Sequence, residues 1–356
     1  MIVEAKSVIA VSDLHLGHER ANPNAFCDFL KWIETLEKNP VTYNLSDGFS
    51  KEFTFPEKLI LLGDVFELYD PEDGDVNKIA EHMKPVLKQL SEISCEKVYI
   101  TGNHDESMTL LDGLEIERCK IRAYSRHYPR HAGADTVRIG EKEYFFLHGH
   151  QFDKKIEQIG EWGTLGPYIV FQLQGLSKSI FKFGGWGSVI LAGVLGLLHI
   201  LCREYYVESN LLLYVIAGIA PFWLPKIIWK FIVPLVRRKS KPKDKKIPFL
   251  LKERYYKPEK DIISADFIVF GHTHYPGMCE ESEVVKILKE ESIPKEWNSK
   301  GLLNTGGWFR EEETPFNTFL YIDSDYVLLL KWNPQEEKPD LVYGESYIKL
   351  TQNKKS

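Results

Sequence analysis

The sequence predicts an α/β fold interrupted by an inserted apolar helical hairpin. Three observations carry the prediction. Apolar runs of strand length alternate with stretches of helical spacing through the first half. Polar residues recur directly after those apolar runs. One central segment is apolar over a length that sets it apart. The chain has 356 residues, 44% apolar and 27% charged, enough to bury a sizeable core. A net charge of −6 gives no global reason to expect a nucleic-acid partner. The 5 cysteines form no CxxC pair, which argues against a disulfide framework or a structural zinc site. The opening "MIVEAKSVIAVSDLH" has too short an apolar run, and a glutamate in it, to read as a signal peptide.

Taken in order, "SVIAVS" reads as a buried strand, "NAFCDFLKWIETLE" as a helix and "KLILLGD" as a strand. "VNKIAEHMKPVLKQLSEI" is a second helix and "KVYITGNHD" a third strand. Such alternation implies an α/β sheet, where function gathers at the carboxyl ends of strands. "EKEYFFLHGHQFD" and "ADFIVFGHTH" each place polar residues behind an apolar strand. "TPFNTFLYIDSDYVLLLKW" predicts a hairpin turning at Asp323 to Asp325.

Between the two histidine-rich strands, Phe183 to Cys202 carries no formal charge. At ~1.5 Å rise per residue, twenty helical residues reach ~30 Å, about one bilayer core. Ser209 to Pro225 is a second such stretch. The basic run "RRKSKPKDKK" follows, with tryptophans and tyrosines near the ends. We expect residues 159–247 to be a helical, membrane-associated insertion that touches the bilayer through 183–236. Basic flanks predict a catalytic part facing the cytoplasm. Pro221, Pro225 and Pro234 keep open a shallow interfacial pair, and a buried helical cap is the soluble alternative.

Singly, "DLH", "GNHD" or "GHTH" means little. Together, Asp13 and His15, Asp64, Asn103 and His104, His148, and His272 and His274 all follow apolar strands. Imidazole and carboxylate without thiolate suit Mn²⁺ foremost, or Fe²⁺ or Zn²⁺. So many donors exceed the needs of one ion and fit two, with a carboxylate such as Asp64 between them. Two ions roughly 3.5–4 Å apart clamp a phosphate from both sides.

The ordered set D-x-H, G-D, G-N-H-D, H-G-H and G-H-T-H resembles the calcineurin-like metallophosphoesterase superfamily. The resemblance implies a β-sandwich flanked by helices, a four-layer α-β-β-α arrangement, built from residues 1–158 and 248–356. It implies that Asp13, His15 and His274 hold one metal and that Asn103, His148 and His272 hold the other. Asp64 would bridge the two. It makes His104 the group that meets the substrate phosphate and Asp105 the residue orienting its ring. Within the superfamily, "SDLHLG", "LLGDVFELYD" and "HGHQFD" are similar to the UDP-diacylglucosamine pyrophosphohydrolases, which also carry a helical insertion. This chain has His104 where those enzymes have arginine, and His150 where they have aspartate. The expected activity is two-metal hydrolysis of a phosphoester or pyrophosphate, with a phosphorylated substrate and a lipid-linked or nucleotide-lipid phosphate as one candidate. A metal-dependent nuclease, a cyclic nucleotide phosphodiesterase and a non-catalytic metal-bound scaffold are the alternatives. Glu67 is weighed equally as a helix-start charge and as a group serving the site. "NTGGWF" is expected to form a wall, and His18 and His82 to lie on the surface.

Overall fold

The computed structural model describes residues 2–46, 48–68, 71–105, 108, 115–116, 119–122, 136–150, 265–279, 301–310, 314–343 and 346–350. The chain divides into two units, Met1–Gln158 with Asp244–Ser356 and Ile159–Lys243. Every described residue belongs to the first. The insertion expected at 159–247, with its apolar stretches, lies outside the described residues. Among the described residues no helix is long and apolar enough to cross a membrane.

Two sheets organise the fold. The nine-stranded one runs in the order Lys338–Leu341, Tyr326–Asn333, Thr318–Asp323, Ser7–Val11, Lys58–Leu62, Glu96–Ile100, Cys119–Arg122, Glu115–Ile116, with Tyr347–Lys349 paired to the second of these. The six-stranded one runs Ile2–Ala5, Thr136–Ile139, Lys142–Phe146, Phe267–Phe270, Gly301–Asn304, Gly277–Cys279. At the centre of the first sheet, Ser7–Val11, Lys58–Leu62 and Glu96–Ile100 are parallel neighbours. Lys142–Phe146, Phe267–Phe270 and Gly301–Asn304 are parallel neighbours in the second. The carboxyl ends within each set therefore lie side by side.

Side chains alternate across a strand, so each central strand serves two cores. Val8, Ala10, Ile60 and Leu62 pack with Tyr144, Phe146 and Ile268 between the sheets. Ile9, Val11, Leu59 and Leu61 pack against two helices on the opposite face. Burial on both faces explains why these strands read as unbroken apolar runs. The helix Pro23–Lys38 buries Ala25, Phe26, Phe29, Leu30, Ile33 and Leu36, a stripe at helical spacing. It starts where the Asn22 side chain accepts from the Ala25 N–H at 3.3 Å, with proline at the first helical position. The second helix, Val76–Glu92, is capped by Asp75, which accepts from the Asn77 N–H at 3.1 Å.

Three layers of the expected sandwich are thus in place: helices, nine-stranded sheet, six-stranded sheet. No helical layer on the outer face of the smaller sheet occurs among the described residues. The hairpin expected within 314–332 forms in register, from Thr318 opposite Lys331 to Ile322 opposite Val327. Asp323 Oδ1 closes its turn by accepting from the N–H groups of Asp325 and Tyr326 at 2.9 and 2.8 Å. A hairpin of Val41–Ser46 with Phe49–Phe53 was not expected from the sequence.

Candidate metal centre

Each candidate residue sits just past a strand end. Asp13 and His15 follow Ser7–Val11, Asp64 follows Lys58–Leu62, and Asn103 and His104 follow Glu96–Ile100. Those three strands belong to the larger sheet. His148 follows Lys142–Phe146, and His272 and His274 follow Phe267–Phe270, both in the smaller sheet. Backbone hydrogen bonds tie the loops together. Asp13 N–H donates to Gly63 O at 3.0 Å, His15 N–H to Asp64 O at 2.8 Å and Gly271 N–H to His148 O at 2.9 Å. Across the two sheets, His272 N–H donates to Asp13 Oδ2 at 3.0 Å.

The backbone is strained where these side chains emerge. Asp13, His15, Asp64, His272 and His274 have φ of 54°, 46°, 51°, 67° and 57°. Left-handed non-glycine residues are uncommon, cost of order 1–3 kcal/mol each, and gather at functional sites. Two glycines make room. Gly63 has φ of 80°, and a Cβ there would sit 2.3 Å from His148 Nδ1. A Cβ on Gly102 would sit 2.1 Å from Asp64 Oδ1.

Three sets of atoms able to hold a metal ion result, each within 4.8 Å of one another: Asp13, His15, His274; His15, Asp64, His104; and Asp64, His148, His272. In the first, the Nε2 atoms of His15 and His274 lie 3.2 Å apart, and Asp13 Oδ1 lies 3.2 Å from the latter. Asp64 Oδ2 lies 3.2 Å from His148 Nε2 and 3.8 Å from His15 Nε2, between the first and third sets.

The imidazoles are oriented from behind. His148 Nδ1 donates to Leu62 O at 2.9 Å. His15 Nδ1 donates to Glu67 Oε2 at 2.8 Å. Both bonds leave a lone pair on the Nε2 of the neutral ring, aimed at carboxylate oxygens. Lone pairs facing carboxylates repel unless a positive charge lies between them. Charge balance says the same. Burial disfavours a charged His148, yet Asp64 beside it pushes its pKa up to about 9. Burial would raise Asp64, yet His148, His104 and His15 hold it well below the usual carboxylate range. Burial keeps His15 below its ordinary value, against the pull of Glu67. His148 Nε2, Asp13 Oδ1 and Asn103 Oδ1 are buried and make no well-formed hydrogen bond. A donor set of this kind, without thiolate, fits divalent cations.

Comparison with known proteins agrees with this chemistry. Residues 6–182 match the family model described as calcineurin-like phosphoesterase. Over those residues, just under half of its length, the chain is similar to calcineurin-like phosphoesterases. The match runs past Asp13, Asp64, Asn103 and His148 and stops short of His272 and His274, which the fold brings in. The solved structure of Yfce, a phosphoesterase from E. coli, is 12% identical and covers 94% of this chain and 96% of its own, with a TM-score of 0.33. That likeness is too distant to carry an argument. No curated protein matches the chain. Likeness to that family suggests a metal-dependent phosphoesterase.

At the candidate centre, the carboxylate that meets the His104 ring is Glu67, not Asp105. Glu67 Oε1 accepts from His104 Nδ1 at 2.8 Å, while its other oxygen holds His15. The buried carboxylate of Asp105 instead braces the loops. It accepts from the N–H groups of Val65, Phe66 and Gly102 at 2.7, 3.3 and 2.6 Å and from the Tyr99 hydroxyl at 2.5 Å. Burial, and then Asp64, raise Asp105 to about 6. Glu67 is 1% exposed, and His104 and His15 hold it well below the carboxylate range although burial works the other way. The "NTGGWF" segment does form a wall, with the Phe309 ring 4.9 Å from that of His15 and 5.2 Å from that of His274. His18, expected on the surface, is buried against Phe309 at 4.7 Å. His150 is also buried, its ring 5.4 Å from that of His148.

Proposed function

We propose that the domain is a dinuclear hydrolase of phosphoesters or pyrophosphates. Asp13, His15 and His274 would hold one divalent ion, and Asn103, His148 and His272 the other, with Asp64 shared between them. The observation that carries this reading is the position of Asp64 Oδ2, within 4 Å of a histidine from each set. Bound divalent ions supply Lewis acidity toward the phosphoryl oxygens. The chain supplies the rest. Glu67 keeps the His15 lone pair inward and fixes the His104 ring with Nδ1 turned away from substrate. Its negative charge favours the imidazolium form of His104. His104 Nε2 then holds a proton for the departing oxygen, and the partly exposed ring gives substrate access to it. Phe309 and the buried His18 keep water from one side of the ligands.

Asp64→Asn tests the shared position. Activity on bis(p-nitrophenyl) phosphate should vanish, and metal content per chain should fall at both positions. A fully active Asp64→Asn protein with two bound ions would defeat the reading.

Manganese is the metal we favour. From the sequence pattern we further propose that residues 183–236 tether the domain to a membrane, cytoplasmic side, and that the substrate is a lipid-linked or nucleotide-lipid phosphate. The support is the charge-free lengths and the basic run after them. Release of the full chain into the supernatant without detergent would refute the tether and leave the chemistry standing.

A further inference from the structure

A cleft of about 530 Å³ opens beside the metal centre, with Arg20, Asn22, Arg310, Phe316, Asn317 and Lys331 among its lining residues. One ring links it to the candidate ligands. Phe309 packs against His15 and His274, and the Arg20 guanidinium carbon lies 6.0 Å from the same ring. The two loops that form this wall are joined, since Arg310 N–H donates to Arg20 O at 3.2 Å.

The cleft is cationic for a reason visible in its pairings. Arg310 and Lys331 stand 5.9 and 5.3 Å from the Phe316 ring centre, and among the described residues no carboxylate pairs with either. Arg20 has Glu19 at 3.8 Å, but both are more than half exposed, so that pair contributes little. Asp340, the other acid of the lining, is engaged by Asn333 Nδ2 at 3.2 Å and Lys338 Nζ at 3.9 Å. Cations stacked on an aromatic ring and left without carboxylates recognise phosphate, by charge-assisted hydrogen bonds from lysine and a planar fork from arginine. The volume lies in the range of pockets that hold small metabolites.

We propose that this cleft is a second anionic subsite, which binds a phosphate group of the substrate other than the one hydrolysed. Substrates would then carry two phosphates, joined through a polar spacer that passes Phe309. The proposal rests on the phosphohydrolase reading of the metal centre, and it adds a substrate class.

The test compares adenosine 3′,5′-bisphosphate with AMP as competitors of bis(p-nitrophenyl) phosphate hydrolysis by the full chain. Expected is a bisphosphate advantage of about tenfold or more in the wild type. In the Arg310→Ala, Lys331→Ala double variant the advantage should shrink to near one. The ratio is taken within each protein, so a general loss of activity does not imitate the effect. The charge-keeping Arg310→Lys, Lys331→Arg variant should retain most of it. A lipid source for the second phosphate is read separately, by sedimentation with phosphatidylcholine vesicles with and without phosphatidic acid. Phosphatidic acid-dependent binding lost in the alanine variant supports the subsite with a headgroup as its ligand. Equal competition by both nucleotides together with unchanged vesicle binding overturns it. If no divalent ion supports hydrolysis, the phosphohydrolase reading fails instead, and calorimetric titration of the two nucleotides still reads the cleft.

Discussion

Replacing Glu67 by glutamine removes one charge and almost no volume, and it should disable the centre. The glutamate accepts one hydrogen bond on each oxygen, from His104 and from His15, both at 2.8 Å. Glutamine has one acceptor oxygen and one donor nitrogen, so it can satisfy one ring only. The other ring must turn its lone pair toward the amide and move its proton to Nε2. If that ring is His15, a candidate ligand presents N–H where an electron pair is needed. If it is His104, the ring no longer feels a carboxylate that favours its charged form. One lost hydrogen bond to a charged group is worth about 1.5–3 kcal/mol, or roughly 10- to 150-fold. Partners standing behind metal ligands show losses on a similar scale, about 10–100-fold. The assay is steady-state hydrolysis of bis(p-nitrophenyl) phosphate at saturating Mn²⁺, with metal content measured after gel filtration. A fall in metal content locates the damage at His15, whereas full metal with a lower kcat locates it at His104. A Glu67→Gln protein with wild-type kcat/KM and full metal would refute the reasoning.

His104→Ala should keep its metal and turn over at least ~10²-fold slower, with a smaller deficit on substrates whose leaving groups are weakly basic. Loss of metal in that variant would mark His104 as a ligand. Metal affinity, followed by competition with a chelator, should rise with pH up to about 9, because binding must displace a proton from His148. The metal-free protein should show the opposite trend from this residue. Its folded pKa is raised from 6.5 to about 9, so its contribution to stability is complete below 6.5 and is lost as pH rises through 9. Thermal melts of the chelated protein at pH 6, 7.5 and 9, with a His148→Gln control that lacks this slope, check the sign.

The gathering of these residues was legible in the sequence because the candidate ligands sit at strand ends, and apolar runs mark strand ends well. Asp13, Asp64, His148 and His272 each follow such a run by two residues. The role of Glu67 was not legible. Its spacing of three from Asp64 also suits the first turn of a helix. In the fold the chain instead stays extended past the strand: Leu16 N–H donates to Val65 O at 2.9 Å and Glu67 N–H to Leu16 O at 3.0 Å. That continued pairing turns the carboxylate inward beside His15. Asp105 was misread for a related reason. Adjacency to His104 suggested contact, but the loop directs its oxygens to neighbouring backbone. The edge of the smaller sheet was hidden because it pairs Ile2–Ala5 with Thr136–Ile139, far apart in sequence, with no local pattern to announce the partnership.

The candidate ligands come from both sheets, and metal binding would give the centre a mechanical role. Asp13, His15 and Asp64 ride on the larger sheet, and His148, His272 and His274 on the smaller, so bound ions would rivet one sheet to the other at the rim of their shared core. A slip of either sheet that leaves every strand intact would still pull the donors out of reach. Substitutions deep between the sheets, at Phe146 or Leu62, would then register at a distance as weakened metal binding before any loss of secondary structure.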